Sequence, residues 1–328
     1  MPERIVRLRR RCMLVAVLLA ASAPAHAVDE AFPEKPIRFV VPYAAGGVAD
    51  IAARLVAQKL TARLGKPMLV DNVPGAAGAV GLAQVANQPA DGYTIGVVST
   101  GYAWLSEMYP ALPINPERDF APLAFIASSP YLLVARVDAP FKSLPDFLKY
   151  ARTNKGKVNY ATGGVGTLQH LFGEWMQSST GIEMTNIPFN GSALVMNSLL
   201  AGQVDVIFDP AATTAVMMKA GKVRALATTS PARTALMPEV PTLLELGVPV
   251  QGTLWLGMVV RNGVPAAVIN RLNREINAVL EEADLRQRLA GMEMYVDPMP
   301  PAKFGALLTS EIKTWGTIVR EKNIKANP

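Results

Sequence analysis

Short apolar runs alternate with longer stretches in which apolar residues recur every three or four positions, and this alternation predicts an α/β fold with largely parallel sheets. Ile37-Arg38-Phe39-Val40-Val41 reads as a first strand. Residues 50–64 read as a helix, with Val56, Leu60 and Leu64 at four-residue spacing and Gly65 as the stop. Residues 68–70 and 93–98 predict the next strands, and Gly75, Gly78 and Gly81 between them suit close packing of a helix on a sheet. The middle of the chain repeats the pattern. Strands at 158–161, 184–187 and 204–208 are separated by helical stretches near 167–179 and 192–201, which makes a second small α/β lobe. Ser143 to Asp146 and Thr242 to Glu245 fit capping boxes, and Pro265 suits the first turn of a helix carrying Val268, Leu272, Ile276 and Val279. Two long apolar segments, 123–135 and 223–228, bracket this middle region. If both cross between lobes, residues 28–130 and 231–328 form lobe I and residues 131–230 form an inserted lobe II.

The first 27 residues stand apart from this pattern. Arg4, Arg7, Arg9, Arg10 and Arg11 precede an apolar stretch at 12–23, and Ala25-His26-Ala27 ends it in the small-x-small form of a secretory signal peptide. The apolar stretch falls short of the roughly 20 residues of a transmembrane helix. Cleavage after Ala27 removes five basic residues and one acidic one, so the net charge drops from +6 to +2. No run of Lys or Arg remains downstream, which removes the electrostatic footprint of a nucleic-acid partner. Cys12 is the one cysteine and leaves with the leader, which excludes disulfides, thiol nucleophiles and Cys-zinc sites. His170 is then the one remaining histidine. With 50% hydrophobic and 18% charged residues over 328 positions, what remains is a folded protein of about two domains.

Candidate chemistry collects where strands end. Tyr43-Ala44-Ala45-Gly46-Gly47 leads from the first strand into the first helix, where glycines let backbone amides approach a ligand and the helix N-terminus favours an anion. Asp50, in the first turn, suits capping or bracing of that loop. A second glycine-rich segment, Thr162-Gly163-Gly164-Val165-Gly166-Thr167, leads into the helix that carries His170. It is no dinucleotide loop, because the spacing asks for glycine where Gln169 stands. Ser99 and Thr100, Asn190 and Asp209 end three further strands. Each of these segments serves as a structural turn as readily as a ligand contact; stacked lobes would face all five onto one cleft. No serine sits in Gly-x-Ser-x-Gly and no His-Glu-x-x-His occurs. Trp104, Trp175, Trp255 and Trp315 are dispersed, as expected for packing.

Several stretches carry a resemblance. They are Phe32-Pro33-Glu34-Lys35-Pro36-Ile37-Arg38-Phe39-Val40-Val41-Pro42-Tyr43-Ala44-Ala45-Gly46-Gly47, Asp50 to Arg54, Asn72-Val73-Pro74-Gly75, Pro89 to Thr94, Gly202-Gln203-Val204-Asp205, Gly221 to Ala227 and Val240-Pro241-Thr242. Together, end to end, they resemble the Bug-type extracytoplasmic solute receptors of tripartite tricarboxylate transporters. The resemblance implies a two-lobed periplasmic binding protein (type II-like), with a ligand cleft between α/β lobes joined by crossing strands. It also implies a small carboxylate held between Tyr43–Gly47 and the Thr162–Thr167 loop, partly through waters. Asn190-Gly191 stands where the family usually carries Lys-Gly, which removes one positive charge near the cleft.

The expected protein is therefore a periplasmic receptor, monomeric and not an enzyme, with no cofactor, no metal and no nucleic-acid partner. It passes a small carboxylate to a two-component membrane permease. The ligand contacts expected are Tyr43, Ala44, Ala45, Gly46, Gly47, Asp50, Ser99, Thr100, Thr162, Gly163, Gly166, Thr167, Asn190 and Asp209. Two other readings are a subunit that presents solute to a signalling partner and a secreted hydrolase or lyase built on His170.

Overall fold

The computed structural model describes residues 32–75, 78–189, 192–234, 237–321 and 324. The proposed signal segment 1–27 and the candidate contact Asn190 lie outside the described residues. The chain begins with β1 (Ile37–Val41), α1 (Val48–Leu64), β2 (Met68–Asn72), α2 (Ala79–Ala86) and β3 (Thr94–Ser99). A tight helical turn, Thr100–Trp104, and the short α3 (Leu105–Met108) and α4 (Pro116–Asp119) lead to the long β4 (Phe120–Arg136). There follow α5 (Leu144–Thr153), β5 (Val158–Thr162), α6 (Leu168–Thr180), β6 (Met184–Pro188), α7 (Ser192–Leu200), β7 (Val206–Pro210), α8 (Ala211–Lys219) and β8 (Val223–Thr228). The chain closes with β9 (Thr253–Arg261), α9 (Ala266–Leu280), α10 (Ala283–Ala290) and α11 (Pro301–Glu321).

The strands run in the order β2-β1-β3-β9-β4-β7-β5-β6, with β8 also on β4. β1 pairs in parallel with β2 and β3, and β5 in parallel with β6 and β7. Parallel strands covered on both faces must be apolar throughout, which is why Phe39, Val40 and Val41 are all fully buried. One face of the first sheet region packs Ile37 and Phe39 on Ala52, Val56 and Leu60 of α1 and Leu272 and Ile276 of α9. The other packs Val40 and Val98 on Leu82 of α2 and Phe304 of α11. The second region is sandwiched in the same way, with Leu133, Tyr160 and Phe208 toward α6 and Val134, Ala161 and Ile207 toward α7.

The regions are joined by β4. Its residues 120–130 pair with β9, and its residues 131–136 pair with β7 and β8. Residues 223–228 do not cross: all of β8 lies against residues 132–136. The chain instead returns through residues 229–252, tied at the crossing by Thr229 N–H to the Tyr131 carbonyl at 2.9 Å and Gly252 N–H to the Thr229 carbonyl at 2.8 Å. The four tryptophans are dispersed in sequence, yet three of them meet in space. Trp315 of α11 lies edge-on to Trp104 (5.4 Å between centroids) and to Trp175 (5.7 Å). The Thr242 box forms, with Glu245 N–H on Thr242 Oγ1 and Thr242 N–H on Glu245 Oε2, both 2.9 Å. It opens a turn and not a helix, because Gly247 follows at φ 78° and Pro249 comes next but one.

Candidate functional site

The loop after β1 is held rigid by a buried carboxylate. Asp50 is 3% exposed, and it accepts the Gly46 N–H at 2.8 Å and the Asn72 amide at 2.9 Å. Arg54, one turn on, pairs with it at 3.0 Å and reaches Asn72 Oδ1 at 2.8 Å. Asn72 also donates to the Tyr43 carbonyl at 3.2 Å. Burial works against the charged form of Asp50. The bonds from Arg54, Gly46 and Asn72 outweigh it, so its carboxyl titrates below the usual range. Tyr43 fixes the other side, with its hydroxyl 2.8 Å from Ser99 Oγ and accepting the Ser99 N–H at 3.1 Å. Burial raises the Tyr43 phenol, against which the Ser99 bonds work. Gly46 takes φ 80°, a left-handed turn that side-chain-bearing residues resist.

This bracing leaves the start of α1 open. Gly47 at its N-cap supplies no side-chain acceptor, so the first-turn amides of Val48 and Ala49 are not capped. Gly46, Gly47, Val48 and Ala49 line a cavity of about 900 Å³. Its opposite wall comes from Asp209 and Pro210 at the end of β7, Thr213 and Val216 of α8, and Met196 of α7. Tyr131 of β4, Leu254 and Leu256 of β9 and Met292 complete it. Amides that no described side chain caps, with a helix dipole behind them and apolar walls around them, make a receptacle for an anion with an apolar body.

Of the residues expected at a ligand, Tyr43, Ala44, Gly46, Gly47, Ser99 and Asp209 meet in this cavity. Ala45 is exposed on the same loop without lining it, and Asp50 acts from behind. Thr100 is buried elsewhere, donating to the Thr253 carbonyl at 3.2 Å and accepting the Trp255 N–H at 2.9 Å. Thr162, Gly163, Gly166 and Thr167 do not line the cavity, and their groups are occupied. Thr162 Oγ1 meets Asn186 Oδ1 at 2.9 Å, and Gly163 N–H bonds Gln169 Oε1 at 2.6 Å. Gly166 N–H bonds His170 Nδ1 at 3.2 Å, and Thr167 Oγ1 caps α6 by accepting the His170 N–H at 3.4 Å. Trp104 donates its indole N–H to the Gly166 carbonyl at 2.9 Å. The space beside Gly166 belongs to Met108, whose Cε would sit 2.4 Å from a Cβ placed there. His170, lowered by burial against the pull of Glu174, stays neutral near pH 7 and lies outside the cavity.

Asp209 is the cavity's one carboxylate among the described lining residues. It is 1% exposed and accepts the hydroxyls of Thr213 and, at 2.9 Å, Thr214. Burial pushes its pKa up to about 6, which the two hydroxyl bonds only partly offset. Sequence reasoning missed Tyr131, Met196 and Met217, which reach the cavity from three separated segments. The usable signal was Pro130, which falls where β4 passes from one region to the other; Val216, an apolar side chain 58% exposed on α8, shows itself only in the structure. Among the described residues there is no cluster that could hold a metal ion and no helix long and apolar enough to cross a membrane.

A family model described as "Tripartite tricarboxylate transporter family receptor" matches residues 52–324. The chain belongs to this receptor family. Among curated relatives, the protein of the tcbD-tcbE intergenic region of Pseudomonas sp. (strain P51) is 34% identical, spanning 98% of this chain and 97% of its own length. BugT of Bordetella pertussis is 29% identical over 98% of this chain and 99% of its own. The receptor also superposes on a solved R. palustris protein with adipate at a TM-score of 0.80. That protein is 28% identical, with coverage of 90% of this chain and 100% of the other. The Bug-type resemblance and the two-lobed periplasmic binding protein fold both stand.

Proposed function

We propose that this receptor binds a small carboxylate in the cavity between the β1–α1 loop and the β7–α8 wall, and hands it unchanged to a two-component membrane permease. The observation that carries the reading is the uncapped start of α1, whose amides open onto that cavity. Adipate in the R. palustris relative supports the ligand class. Residues 1–27 export the chain to the periplasm, and the mature protein works as a monomer. Its lobes are residues 28–130 with 231–328, and residues 131–230, moving about β4 and the return at 229–252.

The energetics need no cationic side chain. Micromolar affinity requires about 8 kcal/mol net; hydrogen bonds to an ionised group contribute roughly 1.5–3 kcal/mol each, so the two first-turn amides supply part of it and burial of the solute's apolar body against Met196, Val216, Leu254 and Leu256 the rest. Closure of the lobes on the ligand then presents a changed surface to the permease. The test is calorimetric titration of the purified protein with mono- and dicarboxylates, with mass spectrometry of the recovered solute. Saturable binding at one site, weakened at least about tenfold by Gly46→Val, with the solute recovered intact, is expected. A chemically altered solute, or affinity unchanged in Gly46→Val, overturns the reading.

A further inference from the structure

We propose that the solute is a monocarboxylate with an apolar body whose far end presents a hydrogen-bond donor to Asp209, and that the cavity rejects a second ionised carboxylate. This rests on the receptor reading above and deepens it. The two polar ends of the cavity differ in kind. At the α1 end the amides of Val48 and Ala49 are donors, and the nearby Asp50 charge is matched by Arg54 at 3.0 Å. At the α8 end stands Asp209, an acceptor with no ion pair among the described residues. Both of its side-chain hydrogen bonds fall on Oδ2, from Thr213 and Thr214, and Oδ1 takes none from a described side chain.

The polar side chains that line the cavity beside Asp209, Asn197 and Thr213, are uncharged, so a second carboxylate meets no counter-charge there among the described residues. Among the described residues, no Lys, Arg or His lines the cavity. Tyr131, on β4 opposite Pro210 and so next to Asp209 on the paired strand, has its phenol raised by burial and by the Asp209 charge, so it remains a neutral hydroxyl. Between the ends lie Met196, Val216, Met217, Leu254, Leu256 and Met292. Two like charges facing each other across apolar walls repel strongly. A hydroxyl or ammonium at the same point donates to a buried carboxylate that has capacity to spare. α8 adds a reason: its start at Pro210 has no side-chain cap, and Asp209 already supplies the anion that this helix end favours.

The experiment is titration calorimetry at pH 8 with three probes of equal chain length: adipate, hexanoate and 6-hydroxyhexanoate. It is run on the wild-type protein and on Asp209→Asn, with circular dichroism melting to establish that the variant is folded. The wild type should bind 6-hydroxyhexanoate at least about tenfold tighter than adipate, with hexanoate in between. In Asp209→Asn the gap should close to within about threefold, chiefly through tighter adipate binding. Adipate binding as tightly as 6-hydroxyhexanoate, or a gap unchanged in the variant, overturns the assignment of Asp209 and leaves the receptor reading standing. Failure of all three carboxylates to bind overturns both.

Discussion

Replacing Asp50 by alanine should unfasten the β1–α1 loop, and the size of the effect follows from who loses a partner. The Gly46 N–H and the Asn72 amide, at 2.8 and 2.9 Å, would lose their acceptor; Asp50 is 3% exposed, but Gly46 is exposed and Asn72 half-buried, so water replaces part of what is lost. A buried donor left without an acceptor costs roughly 1–3 kcal/mol. The Arg54 side chain is 51% exposed, so its share is screened and adds little. With both donors partly reached by water, the expected loss is about 1.5 kcal/mol, and about half that for Asp50→Asn, which keeps one acceptor oxygen. The assay is urea denaturation across pH. The folded Asp50 carboxyl titrates below its ordinary value, because the three hydrogen bonds outweigh burial. Its contribution is therefore complete above the unfolded value near 4 and is lost as pH falls through the folded value. Wild type and variant should differ fully at pH 7 and converge in acid. A loss below about 0.5 kcal/mol, or a difference that does not change with pH, would refute the argument that this carboxylate holds the loop.

Three further outcomes are expected. Gly65→Ala should lower stability by about 1 kcal/mol in urea titrations, because Gly65 ends α1 at φ 66°, where an added methyl meets no atom but the backbone itself is strained. Asp209→Asn should stabilise the unliganded protein at pH 8 by up to about 3 kcal/mol. Burial raises the Asp209 pKa to about 6, so the folded wild type keeps a proton that the unfolded chain releases from about pH 4 upward, and its stability falls across that window. A wild-type stability that does not fall between pH 4 and 6 relative to the variant would contradict this. Trp104→Phe preserves ring packing on Trp315 but removes the 2.9 Å bond to the Gly166 carbonyl. A loss of about 1 kcal/mol, with faster amide exchange in residues 163–167, is expected; unchanged exchange would show that the bond does not hold that loop.

Local chemistry was legible where one segment decides its own structure. The first strand, the first helix and the Gly65 stop follow from periodicity and one left-handed residue, and the anion-accepting loop follows from Gly46-Gly47 at a strand-to-helix turn. What could not be read depended on partners distant in sequence. The amides of Gly163 and Gly166 resemble free donors in the sequence, yet Gln169 and His170, one turn into the following helix, turn back and occupy them. Residues 223–228 look like a crossing strand because four of the six are apolar; they pair edge to edge with residues 132–136 of β4 within one region, while the crossing falls to Thr229 and Gly252. The strand expected from Val204 begins at Val206, since Asp205 spends its carboxylate on the Asn159 N–H at 2.8 Å. The far wall of the cavity combines α7, α8, β4 and β9, and no local pattern announces such a convergence.

The most direct test is to watch the first-turn amides of α1 while a carboxylate binds. In ¹⁵N-labelled protein titrated with 6-hydroxyhexanoate, the Val48 and Ala49 amide protons should move downfield and saturate together, as they would on donating to a carboxylate, while the solute resonances stay chemically unaltered. Saturable binding that leaves both amides in place would mean that the acid is held elsewhere, and the account built on the open end of that helix would fall.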